Sequence, residues 1–151
     1  MSAFGIEIEE RAVRILGKGV TKHGALDALV DAVCQTGAIA SKGAFRSAIY
    51  ERESIQSTGV GGGVAIPHVR IEEVLRPVLG VGLSRDGVDF DSLDNEPVNV
   101  LVLFGMPSGT QRAYLDLLAR VMVSVKDAQF REELLKCTSP AAVAAFLNRD
   151  G

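Results

Sequence analysis

An α/β fold is what this sequence predicts, on three observations. Segments with the 3.6-residue period of helices alternate with short strand-like apolar runs. One run, "VNVLVLF" from Val98 to Phe104, is almost continuously apolar, as suits a central strand covered on both faces. The hydrophobic fraction is 47% and the mean hydropathy +0.21, more apolar surface than a half-wet sheet requires. At 151 residues the chain can close one sizeable core, so a single domain over 1–151 is expected.

Taken in order, the elements begin with a short strand at Val13 to Leu16. The segment "KHGALDALVDAVCQTG" then predicts a helix. Its Leu26, Leu29, Val30, Val33 and Cys34 recur at i, i+3, i+4, i+7, i+8, and Gly37 is placed to stop it. Ser41 is an N-cap for a second helix reaching about Glu53, with Phe45, Ala48 and Ile49 as its apolar stripe. A Gly-rich turn and a short strand at Val64 to Ile66 lead to His68. Strands follow at Val78 to Leu83 and Val98 to Phe104. Ser108 and Gln111 have the spacing of a capping box for a long helix, whose face is Tyr114, Leu117, Leu118, Val121, Met122 and Val125. Two shorter helices close the chain, one near Gln129 to Lys136 and one from Ser139 with Pro140 in its first turn.

Composition removes several function classes. The net charge is −3 with mixed signs along the chain, and nucleic-acid binding needs a basic stripe. No apolar run approaches the ~20 residues of a membrane span. The N-terminus has no signal-like segment, so a cytoplasmic location without membrane insertion is expected. Cys34 and Cys137 lie far apart in helix-like segments and read as reduced core residues. Two scattered histidines make no metal-ligand spacing, so neither a metal nor a cofactor is expected. The glycines 59, 61, 62 and 63 form neither a dinucleotide nor a Walker fingerprint, and no GxSxG elbow occurs.

The chemistry concentrates in "STGVGGGVAIPHVR", Ser57 to Arg70. Pro67 fixes its own φ and pushes Ile66 toward extended geometry, so the backbone defines where the His68 ring sits. Taken alone, a histidine at a strand end is more often structural than functional. The glycines before it can bring backbone N–H groups to an anion or let a partner approach. A rigid imidazole beside small residues suits the acceptance of a phosphoryl group from another protein. Arg52 falls on the apolar stripe at the end of the second helix. There it either snorkels or pairs with Glu51 or Glu53, or aims its planar fork at an oxyanion.

At this point the residues resemble a known family. "ERESIQSTGVGGGVAIPH" is similar to the active-site segment of phosphotransferase-system (PTS) enzyme IIA proteins of the fructose/mannitol/nitrogen-regulatory class. In that class an arginine precedes an "STG-x-G-x-G-x-AIPH" segment whose histidine is phosphorylated. "GVDFDSLDNEPVNVLVLFGMPSG" resembles the middle segment of the same family, and the likeness extends from about Val13 to Leu147. The resemblance implies a mixed, mostly five-stranded sheet with helices on both faces. It implies that His68 accepts phosphate from HPr or a nitrogen-branch HPr homologue and passes it to a cysteine of a IIB domain. Arg52 matches the family's arginine, implied to stabilise phosphoryl oxygens.

The sequence departs from the pattern at one place. Family members carry a second histidine in an "xHLxxLA" context, and here "AYLDLLA" puts Tyr114 at that position. A phenol donates one hydrogen bond but supplies no imidazolium charge near neutral pH. The departure favours a slower or regulatory member, in which the phosphorylation state of His68 controls docking on a partner protein. His23, at the start of the first helix, reads as a surface or capping residue. The sugar, the donor paralogue and the oligomeric state are not legible.

Overall fold

The computed structural model describes residues 3–149. Eleven main elements follow one another. They are β1 (Val13–Ile15), α1 (Lys22–Cys34), α2 (Lys42–Ile55), β2 (Gly59–Gly61), β3 (Val64–Ala65) and β4 (His68–Arg70), then β5 (Val78–Val88), β6 (Val98–Met106), α3 (Gln111–Lys126), α4 (Ala128–Leu135) and α5 (Pro140–Asn148). A single turn of 3-10 helix, Glu10–Ala12, precedes β1.

The sheet runs β1-β5-β6-β3-β2, with β4 also paired to β6. Strand β1 is parallel to β5, β5 antiparallel to β6, and β6 parallel to both β3 and β4. Val64 pairs with Val100 and Ala65 with Leu101, and four residues on His68 pairs with Phe104. Strands β3 and β4 are therefore two pieces of one lane along β6, interrupted at Ile66 and Pro67. Six strand segments give a mixed sheet five lanes wide, as the resemblance implied.

Helices cover both faces. Along β6, Val100, Val102, Phe104 and Met106 face one core, which α3, α4 and α5 close with Leu117, Val121, Val125, Leu134, Val143 and Leu147. Leu101 and Leu103 face the other, closed by Leu26, Leu29, Val33, Phe45 and Ile49 of α1 and α2. Two-sided burial is why β6 reads as a continuous apolar run. Helix α1 lies tight on β5 because Gly80 has no side chain there. A Cβ at Gly80 would come within 2.7 Å of Val33 Cγ1.

Most helix ends follow their sequence signals. Thr21 accepts from Gly24 N, Ser41 from Ala44 N and Ser139 from Ala142 N. The expected Ser108–Gln111 capping box does not form. Pro107 to Gly109 make a turn, with Gly109 at φ +82, and the helix begins only at Gln111. Thr110 holds the N-cap position, but its hydroxyl donates to Pro107 O and caps nothing. Both cysteines are free but only partly buried, each at the margin of a core rather than within it. Burial pushes both thiols up, away from the reactive thiolate.

Candidate functional site

The Gly-rich segment is a hairpin. Strands β2 and β3 are antiparallel, with Gly62 and Gly63 as the two-residue turn between them, at φ +67 and +80. Positive φ at both central positions is the requirement of the tight hairpin turn whose twist matches that of the strands. Asp94 secures the tip by accepting from Gly62 N at 3.1 Å. Of this hairpin, Val60 lines a hollow at His68. The hairpin sets the lane on β6, and Pro67 then turns the chain into β4 with His68 first.

His68 is half-buried, and its ring stacks on Phe104, its register partner, at 5.1 Å and 12°. Its Nδ1 lies 2.5 Å from Ile66 O. A carbonyl oxygen only accepts, so Nδ1 carries the proton and Nε2 keeps its lone pair. Burial pulls the imidazole pKa below its ordinary value, and the Arg52 charge works in the same direction. The Ile66 bond and the Glu53 carboxylate oppose them. The ring is held neutral, with one defined nucleophilic nitrogen.

Two hollows meet at this ring. One, of about 310 Å³, is lined by residues including Arg52, Ile55, Arg70 and Tyr114; the other, of about 280 Å³, by Thr58, Val60, Leu93, Leu118 and Met122 among others. Arg52 and His68 belong to both walls. Arg52 therefore does face the site, from the last turn of α2. One of its N–H groups donates to Gln56 O at 3.0 Å, and it pairs with neither Glu51 nor Glu53. A wider hollow of about 730 Å³ beside Glu7 to Arg14 and α5 contains no histidine or cysteine.

Tyr114 is brought to His68 from the first turn of α3, with ring centroids 5.7 Å apart. The contact is ring against ring, and no hydrogen bond joins the two side chains. Burial pushes the Tyr114 phenol up, against the charges of Arg52 and Arg70, so it stays protonated. His23 lies elsewhere, edge-on to Tyr50 at 5.1 Å where α1 meets α2.

Sequence reasoning missed three contributors. Glu53 is buried, accepts from Thr58 N at 2.9 Å and Thr58 Oγ1 at 2.6 Å, and holds Lys22 Nζ at 2.9 Å. It anchors the start of the cavity wall next to Arg52. Phe104 arrives through strand register, which no local pattern encodes. Arg70 had a signal, since two residues along a strand it shares the face of His68.

Residues 8–150 match the family described as phosphoenolpyruvate-dependent sugar phosphotransferase system, EIIA 2. The chain belongs to this family. A fructose-specific EIIABC component of Bacillus subtilis is 32% identical to this EIIA 2 chain over 85% of its length. The chain spans only 20% of that longer protein. A fructose-specific EIIA component of Haloferax volcanii is also 32% identical, over 84% of this chain and 82% of its own. A nitrogen regulatory protein of Pseudomonas aeruginosa is 35% identical over 65% of this chain and 62% of that one. Among solved structures, nitrogen regulatory protein IIA-Ntr of Neisseria meningitidis matches with a TM-score of 0.83 at 23% identity, covering 93% of this chain and 96% of that chain. The IIA-mannitol complex with phosphorylated IIB of Escherichia coli matches with a TM-score of 0.73 at 16% identity, over the same shares. At these identities the structural matches speak for the fold. No helix among the described residues is long and apolar enough to cross a membrane.

Proposed function

We propose that this EIIA 2 chain is a cytoplasmic phosphoryl carrier, with His68 as acceptor and Arg52 as a donor to the phosphoryl oxygens. The observation that carries the reading is the Nδ1 bond to Ile66 O, which leaves the Nε2 lone pair free on a ring that shares both hollows with Arg52. In the step, that lone pair forms a new N–P bond as the bond from phosphorus to the donor histidine breaks. The released electron pair returns to the donor's nitrogen. The proton stays on Nδ1, held in its bond to Ile66 O, so the ring gains positive charge as it gains the phosphoryl group. Transfer between two nitrogen nucleophiles needs alignment and charge stabilisation more than proton movement. The donor is a phosphorylated HPr-type carrier, and the onward acceptor is a IIB cysteine. The apolar residues Val60, Leu93, Leu118 and Met122 beside His68 offer a surface for such partners.

A second reading is regulatory, with phosphorylation of His68 controlling docking on a target protein. It draws on the nitrogen regulatory relative and on Tyr114, which adds no charge where the family resemblance implies a second histidine. The test is incubation with phosphoenolpyruvate, enzyme I and HPr homologues, followed by mapping of acid-labile phosphate and single-turnover transfer to IIB domains. Labelling on His68, lost in His68→Ala and kept in His23→Ala, supports the phosphorylation site common to both readings. Fast onward transfer to a IIB cysteine favours the carrier. Labelling that survives His68→Ala overturns both.

A further inference from the structure

The cavity at His68 holds a second cation that meets no carboxylate among the described residues. Arg70 follows His68 by two residues on β4 and lines the same hollow as Arg52 and Tyr114. Its guanidinium carbon lies 5.1 Å from the centre of the Tyr114 ring, and that ring lies 5.7 Å from His68. Tyr114 thus sits between the strand's histidine and its arginine and touches both. Arg11, Arg46 and Arg149 each meet a carboxylate. The Arg70 guanidinium makes neither a hydrogen bond nor an ion pair with any described residue, so its side-chain N–H donors stay available.

A phosphoryl group on Nε2 would carry close to two negative charges at neutral pH, by analogy with other phosphorylated side chains. One arginine, already spending an N–H on Gln56 O, leaves that charge incompletely matched. A guanidinium drawn over an aromatic ring by cation–π attraction keeps its N–H donors for fork-like binding of oxyanions.

We propose that Arg70 is the second donor to the phosphoryl oxygens on His68 and that the Tyr114 ring is the platform that positions it. The assignment rests on the carrier reading of His68. Tyr114 then acts through its face, and the positive charge at this end of the cavity comes from β4.

The experiment is single-turnover phosphorylation by phosphorylated HPr at varied donor concentration, with the ³¹P resonance of the product followed against pH. Arg70→Ala should lower the maximal transfer rate about tenfold or more, a barrier change of about 1.4 kcal/mol. Half-saturation should change much less, and Arg70→Lys should recover part of the rate. Tyr114→Ala should reproduce part of the loss by removing the platform. The phosphoryl group's titration midpoint should move upward in Arg70→Ala, because a nearby cation favours the dianion. A purely structural residue would not move it. A wild type labelled at His68, with Arg70→Ala matching it in maximal rate and midpoint, overturns the Arg70 assignment alone. An effect confined to half-saturation does the same, since it marks a docking contact. A wild type that takes up no phosphate overturns the carrier reading and this assignment with it.

Discussion

Removing the Glu53 carboxylate tests how the cavity wall is held. In the native chain it accepts two hydrogen bonds from Thr58 and meets Lys22 Nζ at 2.9 Å, with side chains only 5% and 17% exposed for Glu53 and Lys22. Glu53→Ala leaves a buried Thr58 N–H and hydroxyl without an acceptor and strands an ammonium at the core's edge. Breaking a buried pair by removing one partner costs about 3–5 kcal/mol. Asp91, 80% exposed and 3.9 Å from Lys22, can take back part of that charge, so the lower end of about 3 kcal/mol is expected. For a chain of this size that is a loss of roughly 6–12 °C in Tm. Glu53→Gln retains one acceptor for Thr58 and should cost about half as much. Lys22→Met with Glu53→Gln should cost less than the sum of the single changes, since the two groups share one interaction. Urea denaturation followed by circular dichroism, with an unchanged slope, reads the differences. A loss below about 1 kcal/mol in Glu53→Ala, or strict additivity in the double variant, would refute the reasoning.

Three further outcomes are expected. Arg52→Ala and Arg52→Lys should slow phosphoryl acceptance by about 1–3 kcal/mol of barrier with the fold retained by circular dichroism; equal rates in both variants would remove Arg52 from the site. Because burial lowers the His68 pKa, acceptance should stay constant as pH falls through the ordinary imidazole range near 6.5 and drop only below it. In the same window the unfolded chain binds the His68 proton first. The stability contribution of the neutral ring is therefore full above that range and lost as pH falls through the folded-state value, which denaturation at stepped pH would read. Gly80→Ala forces a methyl against Val33 and should cost about 1–3 kcal/mol in urea denaturation, with no register change in the sheet.

Local chemistry determined a large part of this protein. The helix stripes of α1 and α3, the caps Ser41 and Ser139, and the two-sided run of β6 are written in spacings of a few residues, and the folded chain reproduces them. The segment around His68 and the position of Arg52 on its helix were legible for the same reason. The failures share a cause. Strands β2 and β4 are three residues each, too short for alternation to register, and they exist because β3 and β6 respectively offer them a partner. The Ser108–Gln111 box had the right letters, but the Gly109 turn delayed the helix beyond them. Only the tertiary structure decided which nitrogen of His68 is free, since Ile66 O reaches Nδ1 through the bend at Pro67. It alone placed Phe104 beneath the ring, Tyr114 beside it and Arg70 over Tyr114, because register and helix docking join residues tens of positions apart. The Glu53–Lys22 pair is the clearest case: 31 positions separate the partners, and each alone reads as an ordinary surface charge.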